Sequence, residues 1–402
     1  MLYRAHLIKA LHERREDFVR FDHQWRASVS DYARRWQALA GRTAREITEA
    51  VRQAKTPGAL PSEEFDAVGS PVVRFGRRWR SHEEARRWAL EALRERVIFA
   101  VDGSQLFSGR DLSVPLAAVQ AAAFENPHRE DGTYRKEARF SIITPGELLK
   151  AGEAHAADAD AVVSFRRFSE ETRLLGEFLE RSRHWQARGW RTPVAFFDGT
   201  LLISYARPRN PIQDEYVNTI IDLVKLSRDT QVPLIGYIDQ SYARDLVNLL
   251  DAMAGATGQT SLYDAQFLRV AVDGPAPLQD WGDRTSFCYC TREGLKDEFQ
   301  DEKGQSLVGL VYLQTTGDGA PARLDVPAWI YDAGLLDDVI DAVRAECVVG
   351  NGYPYAIEAA DAAAVITSRD RNQFLRAVQE FAANEGLSLR VSRKAASKTR
   401  RR

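Results

Sequence analysis

A mixed α/β sheet covered by helices is the fold class that the sequence predicts, on three observations. Short apolar runs that read as buried strands recur along the chain: VIFAVD (97–102), PVAFFD (193–198) and PLIGYID (233–239). Between them lie stretches with apolar residues at helical spacing. Their order is three strands, a helix, a strand, and then alternating helices and strands, which is the pattern of helices packed on one sheet.

Residues 1–96 read as helices, because Leu7, Ile8, Leu11, Phe18, Val19, Trp25, Tyr32, Trp36 and Leu39 recur at helical spacing among many Arg and Glu residues. TPGALPSEEFDAVGSP (56–71) reads as a Pro/Gly loop. RSHEEARRWALEALRER (80–96) starts with a capping box, Ser81 followed by Glu84. The strands VPLAAVQAAAF (114–124) and YRKEARFSII (134–143) come next, then a helix over roughly 160–187. After PVAFFD come a helix beginning at Pro211, the strand PLIGYID and the helix SYARDLVNLLDAMA (241–254). SFCYC (286–290), LVGLVYLQT (307–315) and ARLDVPAW (322–329) read as strands, and helices at 332–347, 356–368 and 370–385 close the fold. The tail SRKAASKTRRR is basic and reads as disordered, either a solubilising tail or a nucleic-acid tether. Three regions follow: a helical N-terminal region (1–96) for dimer, partner or DNA contacts, the α/β domain (97–385) and the tail (386–402).

Composition narrows the function. The 402 residues are 44% hydrophobic and 28% charged, as in an ordinary soluble globular protein. With 55 basic and 57 acidic residues the net charge is −2, which excludes a globally basic nucleic-acid binder but not a local basic groove. The N-terminus is a charged amphipathic helix rather than a signal peptide, and no apolar run approaches the ~18–20 residues of a membrane span. Three cysteines make no disulfide framework, and Cys288 and Cys290 read as packing residues, so a cytoplasmic protein is expected. All seven histidines lie at or before His184 without ligand spacing, which argues against zinc and against a Ser-His-Asp hydrolase. No phosphate-binding G-x-x-x-x-G-K-[ST] motif is present, so the chain is not itself a motor of that class.

The chemistry-bearing residues are carboxylates. FAVDGSQL (99–106) and AFFDGTLL (195–202) share one pattern, an apolar run ending in Asp-Gly and a hydroxyl residue. An Asp at the carboxyl edge of a buried strand is costly to ionise unless positive charge lies near. Ligands of open α/β sheets collect at that edge, so Asp102 and Asp198 could share a cation if their strands are neighbours. On the helix SFRRFSEETRLLGEFLERS, Glu171 falls on the apolar face with Phe168, Leu175 and Phe178. Its partner is either Arg167, one turn earlier, or a metal. In NGYPYAIEAADAAAVI (351–366), Asp361 lies one turn from Ile357 and from Val365, with Glu358 as the alternative. Four carboxylates suit hard divalent cations, two of which would stabilise the attacking water and the leaving oxygen of a phosphodiester. Basic patches with aromatics would contact DNA: Arg77, Arg78 and Trp79, Arg86-Arg87-Trp88, Arg166-Arg167, and Arg244.

Taken in order, VIFAVDGS, the Arg/Glu helix, FFDGTLL, LIGYIDQSYARDL, LVYLQTTGDGAPARLDVPAW and GNGYPYAIEAADAAAVI resemble the NurA nuclease family over roughly residues 95–370. The resemblance implies a ribonuclease H-like mixed sheet flanked by helices. In that fold, carboxylates on the first strand, a following helix, the fourth strand and a late helix hold two metal ions. Asp102, Glu171, Asp198 and Asp361 fall in that order, with Glu170 and Glu177 as alternatives on the helix. It also implies a nuclease dependent on Mn²⁺, with Mg²⁺ as the alternative, that acts on single- and double-stranded DNA by 5′→3′ exonuclease and single-strand endonuclease activity. The implied assembly is a homodimer docked on HerA, a hexameric ATPase, in end resection during double-strand-break repair and homologous recombination. Archaeal members carry a His near the last acidic position, where this chain has Asp361. The family's site tyrosine would be Tyr237 or Tyr242.

Two other readings are open to the sequence. FDGTL resembles the D-x-D-G-T motif of haloacid dehalogenase-like phosphatases, but Phe196 stands where their nucleophilic Asp belongs. A non-catalytic adaptor of a DNA motor, with structural carboxylates, is the other.

Overall fold

A computed structural model describes residues 3–107, 112–149, 159–203, 205, 209–255, 261–292, 294–295 and 298–388. The chain forms two compact units: residues 1–78, 238–296 and 300–324 make one, and 79–237, 297–299 and 325–402 make the other. The basic tail beyond residue 388 lies outside the described residues. Among the described residues no helix is long and apolar enough to cross a membrane.

The second unit holds the paired Asp-Gly strands. Ile98–Leu106, Ala117–Asn126 and Arg135–Ile143 form an antiparallel meander. Val194–Asp198 joins the other side of Ile98–Leu106 in parallel, and Leu234–Ile238 joins Val194–Asp198 in parallel. This order, a meander extended by two parallel strands beside its first member, is a ribonuclease H-like arrangement. It explains the apolar runs. Val194–Asp198 has its first four residues buried, as a central parallel strand covered on both faces must be, whereas the sheet-edge strand Arg135–Ile143 alternates between exposed and half-buried.

Strand alternation assigns the covering helices. Phe99 stacks on Phe178 of the helix Ala159–Ser182 with ring centroids 4.3 Å apart. Ser104 Oγ accepts the Ile366 amide, and Gln120, its cross-strand partner, donates to the Ala364 carbonyl at the end of the helix Tyr355–Ala364. Odd and even positions of Ile98–Leu106 point to opposite faces, so these two helices cover opposite faces of the meander. Arg96, almost wholly buried, ties the start of this strand to Asp338, with its Nη2 2.6 Å from Oδ1.

The first unit is built on short strands. Gly58–Pro61 pairs antiparallel with Cys288–Thr291, which pairs with Val308–Leu313, and Val72–Val73 pairs with Arg284–Thr285. The helix Arg15–Gln37 packs Tyr32 and Trp36 against Phe267. Buried charges are paired: Asp245 receives Arg292 and Arg323, and Arg284 reaches Glu64. Two strands therefore lie in the N-terminal stretch that reads as helices and a loop. At four and two residues, one of them bracketed by Gly and Pro, they are too short to show a period. Cys288 and Cys290 are buried, as expected of packing residues.

Candidate active site

Parallel pairing of Val101 with Phe197 puts the next residues, Asp102 and Asp198, at the same level on neighbouring strands. The matched strand ends thus fall side by side. Asp102 shares a carboxyl–carboxyl hydrogen bond with Asp361 of the helix Tyr355–Ala364. Burial pushes the Asp102 carboxyl up to about 6, against a hydrogen bond from the Gly103 amide that lowers it, and the bond to Asp361 and the charges of Asp198 and Asp361 raise it further.

Glu171 approaches from the other face, since its strand neighbour is Gly103. A Cβ at Gly103 would lie 2.2 Å from Glu171 Oε1, so the glycine lets that carboxylate lie directly against the strand. Glu171 is 7% exposed, and its Oε1 accepts no hydrogen bond, although Arg167 Nη1 lies 3.3 Å away and also donates to the Gly103 carbonyl. Burial pushes the Glu171 carboxyl up to about 7; Arg167 opposes the shift, and Asp102 and Asp198 add to it. Glu170 and Glu177 do not enter the cluster: the first pairs with Arg173, the second with Arg139 and Arg173. Arg167 is therefore Glu171's partner as well as part of the site.

Asp198 stands exposed at its strand end, where Tyr353 Oη donates to Oδ1 at 3.1 Å. The turn that follows is held from below. Asp325, buried in the RLDVP segment, accepts from Thr200 Oγ1 at 2.5 Å and from the Leu201 amide at 3.1 Å. A Cβ at Gly236 would lie 2.7 Å from the Gly199 carbonyl oxygen, a backbone atom that cannot swing aside. Gly236→Ala is accordingly expected to cost about 1–3 kcal/mol in urea unfolding. A loss under about 0.5 kcal/mol, the scatter of neutral surface changes, would show that the turn is not packed this tightly.

Some sequence expectations need correction. Tyr237 is wholly buried, edge-on to Tyr353 and with its hydroxyl 4.0 Å from Cys347 Sγ, so it can neither stack on a base nor touch a phosphate. Tyr353 occupies the place beside Asp198, and its position in GYPY before the Asp361 helix is the sequence signal for it. Asp361 itself is exposed, and Val365 is 45% exposed, so the apolar phase that singled out this helix turn does not describe its surroundings. Phe196, which occupies the phosphatase nucleophile position, is fully buried. Among the basic and aromatic candidates, Arg77 is exposed, Arg78 pairs with Asp280, and Trp79 leans on Trp88 with centroids 5.3 Å apart. Tyr242 is 72% exposed, and Arg244 precedes the helix Asp245–Met253 with its Nε buried and unbonded. Both belong to the first unit.

The donor set fits a divalent cation in chemistry: four carboxylates, one with an unbonded buried oxygen and two holding protons more tightly than ordinary acids. Among the described residues no three His, Cys, Asp or Glu side chains form a closed metal-binding group as they stand.

A protein-family description, "NurA domain", matches residues 96–366. A crystal structure of NurA with manganese covers 72% of this chain and 92% of its own at 11% identity and a TM-score of 0.38. The catalytic domain of human endonuclease V covers 79% and 99% at 13% identity and a TM-score of 0.32. Argonaute of Kluyveromyces polysporus with a guide RNA covers 68% and 27% at 10% identity and a TM-score of 0.25. No curated protein matches the chain.

Proposed function

Because the chain belongs to the NurA family of metal-dependent nucleases, matched over residues 96–366, we propose that Asp102, Glu171, Asp198 and Asp361 form a two-metal site that hydrolyses DNA phosphodiester bonds. One observation carries the assignment of these residues: four acids from four separate segments converge at adjacent strand ends, where burial and the neighbouring acids disfavour the ionised forms of Asp102 and Glu171. A fold bears that cost where a positive partner offsets it. Bound Mn²⁺ or Mg²⁺ would neutralise the cluster and supply Lewis-acid stabilisation of the attacking and leaving oxygens.

The chain's own residues set the rest of the chemistry. Asp102 and Asp198, fixed on neighbouring strands, would hold the cations at the sheet's carboxyl edge, and Asp361 and Glu171 would close the site from the two faces. Tyr353 holds the Asp198 carboxylate by its hydroxyl. Arg167, anchored on the Gly103 carbonyl, keeps a guanidinium beside the cluster where a phosphate would lie. No protein nucleophile is needed, which is why Phe196 can serve the core. The activity is 5′→3′ exonuclease and single-strand endonuclease cleavage, by a homodimer working with a HerA-type hexameric ATPase in end resection. DNA is contacted by Arg77, Arg78, Trp79, Tyr242 and Arg244.

Purified protein with end-labelled single- and double-stranded DNA in Mn²⁺, Mg²⁺ or EDTA tests the reading. Cleavage of both substrates with Mn²⁺, and none in EDTA, is the expected outcome. Release of phosphate from small esters without cleavage of DNA would overturn it.

A further inference from the structure

The helix that carries Asp361 begins on a buried acid outside the cluster. Glu346, on the helix Leu336–Val349, is 1% exposed. Its Oε2 accepts the backbone amide of Ala356 at 2.8 Å, in the first turn of Tyr355–Ala364. First-turn amides have no intrahelical acceptor, and a carboxylate there also meets the positive end of the helix dipole. The other oxygen, Oε1, lies 3.5 Å from His128 Nε2. His128 Nδ1 is 2.9 Å from the Arg96 carbonyl, which can only accept, so Nδ1 carries a hydrogen. Nε2 then faces the Glu346 carboxyl group. The His128 backbone is held at φ 48, with its amide on Asn126 Oδ1 and its carbonyl receiving the Glu95 amide. A non-glycine residue keeps that conformation only where its surroundings impose it.

The segment clamped at its end by Glu346 contains both residues that close the cluster from this side. Tyr353, three residues before Ala356, reaches Asp198, and Asp361, five residues after it, bonds Asp102. We propose that Glu346, backed by His128, is a positioning residue that sets Tyr353 and Asp361 against the two strand-end aspartates and thereby sets the metal affinity of the site. The proposal rests on the metal-site reading above.

Mn²⁺ binding to the full chain without DNA, followed by the electron paramagnetic resonance signal of the free ion, tests it separately from catalysis. Glu346→Ala is expected to weaken Mn²⁺ binding about 10- to 100-fold, as loss of a supporting partner behind metal ligands commonly does. It should lower kcat with little change in KM for DNA. Glu346→Gln, whose amide oxygen still accepts the Ala356 amide, should restore binding to within a few-fold of wild type. Should Glu346→Ala fail to give a cooperative melt, Glu346→Asp, one methylene too short to reach Ala356, takes its place with the same direction expected. A folded Ala or Asp variant with wild-type Mn²⁺ affinity overturns the proposal. Asp102→Ala, measured alongside, separates the two levels. If it also binds Mn²⁺ normally, the metal-site reading has failed; if it alone loses binding, only the role of Glu346 has.

Discussion

Asp102→Asn and Asp198→Asn each lower Mn²⁺-dependent cleavage of single-stranded DNA by about 10³-fold or more while the protein stays folded. The substitution keeps volume, removes the negative charge and turns one accepting oxygen into a donating NH2 group. At Asp102 it also removes an ionisation that the folded state resists, since burial and the neighbouring acids hold that carboxyl near 6. The inactive Asp102→Asn chain is therefore expected to melt no lower than wild type in EDTA, and slightly higher above neutral pH. Both parts can be checked on one preparation, by gel assay and by thermal melt. Wild-type cleavage by either variant would sink the assignment. A large drop in melting temperature would mean that the acids serve stability and that any loss of activity is indirect.

Metal-free stability should fall as pH rises from about 5 to about 8, and the gap between wild type and Glu171→Gln should open over the same range. The sign follows from the raised Glu171 carboxyl, near 7 when folded against an ordinary 4.5. Between those values the folded chain keeps a proton that the unfolded chain has released, so stability is greatest below the lower value and is lost as pH passes the upper one. A shift of this size corresponds to roughly 3–3.5 kcal/mol in favour of the Gln variant above pH 8. Mn²⁺ reverses the dependence, because its binding demands the deprotonated acids: its stabilising effect on wild type should be small near pH 5.5 and grow towards pH 8. Taking the difference between variant and wild type cancels other groups with the same sign, such as buried Asp264 in the first unit. A gap that stays constant with pH would show that Glu171 does not titrate in this way.

Much of the sheet was legible because buried strands announce themselves by composition. VIFAVD and PVAFFD are apolar up to the residue where they meet solvent, and the Asp-Gly pair marks that point. Glu171 was legible from helical phase, and Glu170 and Glu177 were separated from it only by their arginine partners in space. What stayed hidden was held by long-range contacts. Nothing local to LDV says that Asp325 will receive a turn 125 residues earlier in the chain. Glu346 reads as one more acid in a helix until its burial and the Ala356 amide are seen. Tyr237 misled because a tyrosine near a strand end looks available, whereas a strand covered on both faces buries both of its side-chain rows. The pairs Gly58–Pro61 and Val72–Val73 were lost because a few residues cannot display a period.

The unit that holds the site is interrupted in the chain, with residues 79–237 in one piece and the remainder resuming at 325 apart from 297–299. Fragment mapping by trimming from either end is blind to such an arrangement. A C-terminal truncation anywhere between residues 199 and 324 keeps Asp102, Glu171 and Asp198 but deletes Asp325, Glu346, Tyr353 and Asp361 together. The silence of such a fragment would say nothing about the part it had lost from the other unit. Dissecting the two roles calls for excision of an internal segment with its ends rejoined, or for point changes in the intact chain.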